Sequence, residues 1–78
     1  MLTGSQIRAA RSLLGWSQTD LAKRARVGEM TVKRFEAKLN SASGTVESLL
    51  RMQAALEAAG IIFVSADKHG GIGVRLSK

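Results

Sequence analysis

The 78-residue chain has no cysteine, no proline and no tyrosine, a single histidine, and only 4% aromatic residues. Without cysteine there is no disulfide and no thiolate metal site. His69 alone cannot assemble zinc, which takes about three or four protein ligands, so no metal or cofactor is expected. No apolar run approaches the roughly 20 residues of a membrane span. Met1-Leu2-Thr3-Gly4-Ser5 lacks the charged and apolar regions of a signal peptide. With cysteine absent as well, a reducing cytoplasm is the expected setting, and no membrane partner. Repeats and low-complexity tracts are also missing. A single domain this short buries a limited share of its surface. With disulfide and metal excluded, the support left is a partner chain.

An enzyme is not expected either. His69 has only Asp67 near it, in one polar turn, with no nucleophile elbow. Gly70-Gly71-Ile72-Gly73 opens a strand and lacks the helix that a phosphate-binding loop needs.

What is present is positive charge, unevenly spread. The chain carries +6, of which residues 1–44 hold +5 and residues 45–78 only +1. A basic half beside a near-neutral half suggests that the first half meets a polyanion, against the plainer alternative of a basic soluble surface.

Glycine carries the punctuation. In the segment 3–14, Thr3 and Gln6 have capping-box spacing, and Ile7, Ala10, Leu13 and Leu14 recur at helical period up to Gly15. In the segment 17–25, Ser17 and Asp20 repeat the box, Trp16 and Leu21 make the staple pair, and Leu21, Ala22 and Ala25 form a narrow apolar stripe. The segment 29–38 turns Val32, Phe35 and Leu39 inward and Met30, Lys33, Arg34 and Ala37 outward, with Gly28 as a weak cap. After a polar loop, 39–44, Thr45 caps a fourth helix with a core stripe of Val46, Leu49, Met52, Leu56 and Ala59, ended by Gly60. The tail changes to strand period: 61–64, a loose turn at 66–71, then Ile72, Val74 and Leu76 alternating with smaller or polar residues. The expected fold is mainly α: a four-helix unit over 1–60 followed by a β-hairpin over 61–78, within one domain.

Two short helices joined by the three residues Arg26-Val27-Gly28 have helix-turn-helix geometry. The run Gly15-Trp16-Ser17-Gln18-Thr19-Asp20-Leu21-Ala22, followed by Val32-Lys33-Arg34-Phe35-Glu36, resembles the phage-repressor-like helix-turn-helix family, the XRE or Cro-repressor type. The resemblance spans residues 5–59, and the tail is similar to small members that end in strands. The chain departs from the family at three points. Arg26 stands where glycine is usual, so the second helix should end differently. Gly28 replaces a Ser or Thr cap, and Lys38 replaces a common glycine.

The resemblance implies that the third helix enters the major groove while the second crosses the backbone. Arg34 can then fork to guanine, Lys33 can reach guanine or phosphate, and Met30 can touch a thymine methyl. Glu29 can accept from a cytosine amine, or merely complement the helix dipole. Ser17, Gln18, Thr31, Lys38 and Asn40 are placed against phosphates, with Gln18 also bracing the third helix. Lys23 and Arg24 contribute field rather than contact, and Trp16 is core rather than a stacking platform. The family pairs the positions of Arg11 and Glu36 in a structural ion pair.

The expected function is a sequence-specific transcriptional regulator binding a near-palindromic operator as a homodimer. The alternatives are an antitoxin-like or antirepressor-binding subunit with a regulatory protein partner, and an architectural or recombination accessory factor. The strand 61–64 is apolar on both faces, and a lone hairpin is marginal in water. Ile61, Ile62, Phe63 and Val64, with Leu50 and Ala54 from the fourth helix, are therefore expected at a dimer interface.

Overall fold

In a computed structural model, residues 2–37 and 45–77 are described. Four helices, α1 (Gly4–Leu14), α2 (Gln18–Ala25), α3 (Glu29–Ala37) and α4 (Val46–Ala58), precede two strands, β1 (Ile61–Val64) and β2 (Gly73–Leu76). The architecture is the expected mainly-α four-helix unit with a C-terminal hairpin. Lys38, Leu39 and Asn40 lie outside the described residues. No helix among the described residues is long and apolar enough to cross a membrane.

The first two helices start where local chemistry satisfies their orphan N–H groups. Thr3 Oγ1 accepts from Gln6 N at 3.2 Å while Gln6 Oε1 accepts from Thr3 N at 3.0 Å. Ser17 and Asp20 do the same for α2, at 3.0 and 2.8 Å. The Ser17 backbone N–H and then its hydroxyl hold the Asp20 carboxyl below its ordinary value of 3.8. Gly15 ends α1 in the left-handed region.

Arg26 corrects the expectation that α2 ends differently for want of glycine. It adopts φ 58° and ψ 46°, the left-handed cap a glycine would supply, and its N–H reaches the carbonyls of Ala22 and Lys23. A non-glycine residue there costs about 1–2 kcal/mol of local strain. The motif geometry is thus kept against backbone preference, held by Val27 packing on the core and by Arg51 Nη1 donating to the Arg26 carbonyl at 3.1 Å.

One core joins the four helices and β1, with Val74 and Leu76 of β2 packed against it: Ile7 and Ala10 of α1, Leu21, Ala22 and Ala25 of α2, Val32 and Phe35 of α3, Leu49, Met52 and Leu56 of α4, and Ile61 of β1. The buried alanines let α2 sit against both α3 and α4. Three described residues expected in this core are outside it: Leu13, Val46 and Ala59, the last half-buried at the C-cap of α4. Leu13 is 47% exposed because it lies about 120° around α1 from Ile7, beyond a stripe narrower than the periodicity suggested. Val46 is 58% exposed at the first position of α4, well off the line of Leu49, Met52 and Leu56.

The hairpin pairs Ile61 with Leu76 and Phe63 with Val74 on its inner face, and all four pack on the core. Ile72 stands just before β2 and is exposed, rather than within the strand as expected. The turn is also tighter than expected. Asp67 N donates to the Gly70 carbonyl at 2.9 Å, and His69 N donates to Asp67 Oδ1 at 2.8 Å. Gly60, at φ 106°, makes the corner from α4 into β1, where a Cβ would meet Ser77 Oγ at 3.2 Å.

Gln6 does more than cap. Its Nε2 donates to the Val64 carbonyl at 3.4 Å and the Gly73 carbonyl at 3.2 Å, clamping both strands to the start of α1. Only an amide at this capping position has hydrogens to give. Gln6→Glu should keep the cap but face two carbonyls with a buried carboxylate, at a cost of about 1–3 kcal/mol. An unchanged melting temperature for that variant would show that the clamp contributes nothing.

Candidate nucleic-acid interface

The candidate surface is built on one buried anchor. Arg11 Nε and Nη2 donate to the two Glu36 oxygens at 2.9 and 3.0 Å, a bidentate pair between α1 and α3. The Glu36 side chain is 5% exposed and that of Arg11 17%. Arg11 Nη1 also donates to the Trp16 carbonyl at 2.8 Å, fixing the turn into α2. Gln18 Nε2 donates to Glu36 Oε1 at 3.2 Å. Gln18, expected at a phosphate, and the structural pair, assigned separately from sequence, are therefore one network through α1, α2 and α3.

That network fixes which face α3 turns outward. Val32, Phe35 and Glu36 are buried, whereas Glu29, Met30, Lys33 and Arg34 are all exposed and share the outer surface. Thr31 is half-buried. Glu29 has a partner the sequence did not suggest: Thr19 Oγ1 donates to its Oε1 at 2.7 Å, a second tie between α2 and α3. The other carboxylate oxygen is left for a ligand. Ser17 is exposed, and its hydroxyl is engaged by Asp20 in the α2 cap. Arg24 lies over the Trp16 ring, 4.7 Å from its centroid, so this half-buried indole carries a cation on one face while packing on the core with the other.

The residues assigned to a dimer interface divide in two. Leu50, Ala54, Ile62 and Val64 are exposed and available to a partner. Ile61 is 3% exposed and Phe63 is half-buried against the protomer's own core, so their side chains are spent internally. Their backbone is a different matter. The bond from Ser77 N to the Gly60 carbonyl, at 2.8 Å, sets the antiparallel alternation. Ile62 and Val64 then bond to β2, and the N–H and C=O groups of Ile61 and Phe63 point to the other edge of β1. Among the described residues no strand pairs with that edge.

No protein-family model matches this chain, and no curated protein is similar to it.

Proposed function

We propose that this chain is a sequence-specific DNA-binding transcriptional regulator, acting as a homodimer on a near-palindromic operator with α3 in the major groove. It is a binding protein rather than an enzyme, and its place of action is the cytoplasm, on the nucleoid. The observation that carries the reading is the outer face of α3. A short helix is braced from behind by a buried ion pair and by Gln18 and Thr19, and it presents Met30, Lys33 and Arg34 together to solvent. A groove roughly 12 Å wide accepts one such helix, and base edges there are read by forks and methyl contacts. The resemblance of residues 5–59 to the phage-repressor-like family and the +5 charge of residues 1–44 point the same way.

Selection from a random duplex pool tests this. A two-fold related motif should emerge. Affinity for it should fall by roughly 10³-fold or more between about 50 and 200 mM salt, since each neutralised phosphate releases condensed counterions. Arg34→Ala should cost about 1–3 kcal/mol at one base position and relax specificity there. A pool that yields no motif, or an Arg34→Ala variant selecting the wild-type motif, defeats the assignment.

A further inference from the structure

Arg8 stands outside every motif named above, yet its position is informative. It is exposed and enters no ion pair or side-chain hydrogen bond among the described residues. It lies three residues before Arg11, on the same face of α1, just as Lys33 lies three residues before Glu36 on α3. Because Arg11 and Glu36 hold the two helices together, Arg8 and Lys33 are carried to the rim of one recess of about 440 Å³, lined also by Gln18 and Ala37. Three cations and one carboxylate line it, and the carboxylate is already occupied by Arg11 and Gln18. Lys33, like Arg8, has no ion-pair partner among the described residues. Two uncompensated cations at one recess repel unless an anion sits between them. The Gln18 amide gives one hydrogen to Glu36 and keeps a second for a ligand.

We propose that this recess seats one phosphodiester of the duplex backbone, with Arg8 and Lys33 as its charged ligands and the Gln18 amide as donor. The inference rests on the DNA-binding reading and extends it in two ways. It adds α1 to the DNA-facing surface. It also assigns Lys33, which from sequence can reach base or phosphate, to the backbone, leaving base readout to Met30, Arg34 and the free oxygen of Glu29. A duplex is the fitting source of the anion because a helix laid in the major groove has phosphates along its flanks, at about one charge per 1.7 Å of axis.

The test measures binding to the selected duplex and to a mixed-sequence duplex over a salt series. Arg8→Gln and Lys33→Gln should each weaken both duplexes alike and flatten the salt slope in part, and the double variant, which leaves the one phosphate without a cation, should lose about eightfold at about 0.1 M salt and about 0.9 of the slope. The selected motif should stay the same, and Arg8→Lys should restore the slope. Both residues are exposed, so the melting temperature should not move. An Arg8→Gln variant with wild-type affinity and slope overturns the seat and leaves the DNA-binding reading standing. A Lys33→Gln variant that changes the selected motif overturns it too, returning Lys33 to the bases. Wild-type protein that binds neither duplex overturns both.

Discussion

Arg11→Ala should lower stability by about 3–5 kcal/mol, because it strands a buried carboxylate rather than merely deleting a contact. Glu36 is almost fully enclosed, and without Arg11 its remaining side-chain donor among the described residues is Gln18 at 3.2 Å. The Trp16 carbonyl loses its partner in the same step. A domain of this size loses about 4–8 °C of Tm per kcal/mol, so the fall should exceed about 12 °C. Glu36→Ala should cost less, about 2–3 kcal/mol, because the guanidinium it strands is nearer the surface and can turn into water. The double variant Arg11→Met, Glu36→Leu removes both charges and should recover much of the loss, though Gln18 and the Trp16 carbonyl are then left to solvent. Thermal melts of the three variants, with duplex binding measured in parallel, decide the matter. A single variant with native Tm but no binding would move the pair from scaffold to DNA contact.

The elements that were legible in the sequence are those whose causes are local. The two capping boxes act across three residues, so Thr3 with Gln6 and Ser17 with Asp20 announce α1 and α2 before any tertiary contact is known. The change of period after Gly60 marks the hairpin for the same reason. What escaped depends on distant parts of the chain. Gln6 clamps strands 58 and 67 residues away, and nothing near it in sequence reveals that its amide hydrogens are needed there. Arg26 takes a conformation its own preferences oppose because Val27 and Arg51 hold the turn from either side. Leu13 and Val46 fit a helical period but miss the packed stripe, since period fixes a spacing and not the width of the covered face. On the candidate interface, outward residues of α3 were readable from their angles. The joining of Gln18 to Arg11 and Glu36, and the approach of Arg8 to Lys33, required α1 to lie beside α3.

Ile62→Lys with Val64→Lys should abolish the proposed homodimer and lower operator affinity by roughly 10²–10⁴-fold, the contribution of binding two half-sites with one linked molecule. The expectation rests on the division of labour within β1. Its inward side chains, Ile61 and Phe63, are committed to the protomer, while the backbone groups of the same two residues face an edge that no strand among the described residues covers. An uncovered apolar edge invites pairing with a second strand. Two-fold pairing of β1 with its copy would make a four-stranded sheet with β2 at each outer edge, and would bring Ile62 and Val64 of both copies onto one continuous face. Leu50 and Ala54, exposed on α4, are the helical residues available to flank it. Such a dimer needs to set its two α3 helices about 34 Å apart to read successive major grooves on one side of the duplex. Truncation after Gly60 is a poorer probe, because it strips Ile61, Phe63, Val74 and Leu76 from the core and unfolds what it is meant to test. The double lysine variant alters only exposed side chains, so each protomer should stay folded while sedimentation shows a single chain at micromolar concentration. Four lysines crowded onto the joined sheet would repel at close range, whereas the two on each free protomer are simply solvated. If the variant sediments as a dimer with unchanged operator affinity, β1 is not the contact between copies, and the partner surface must be sought on α4 instead.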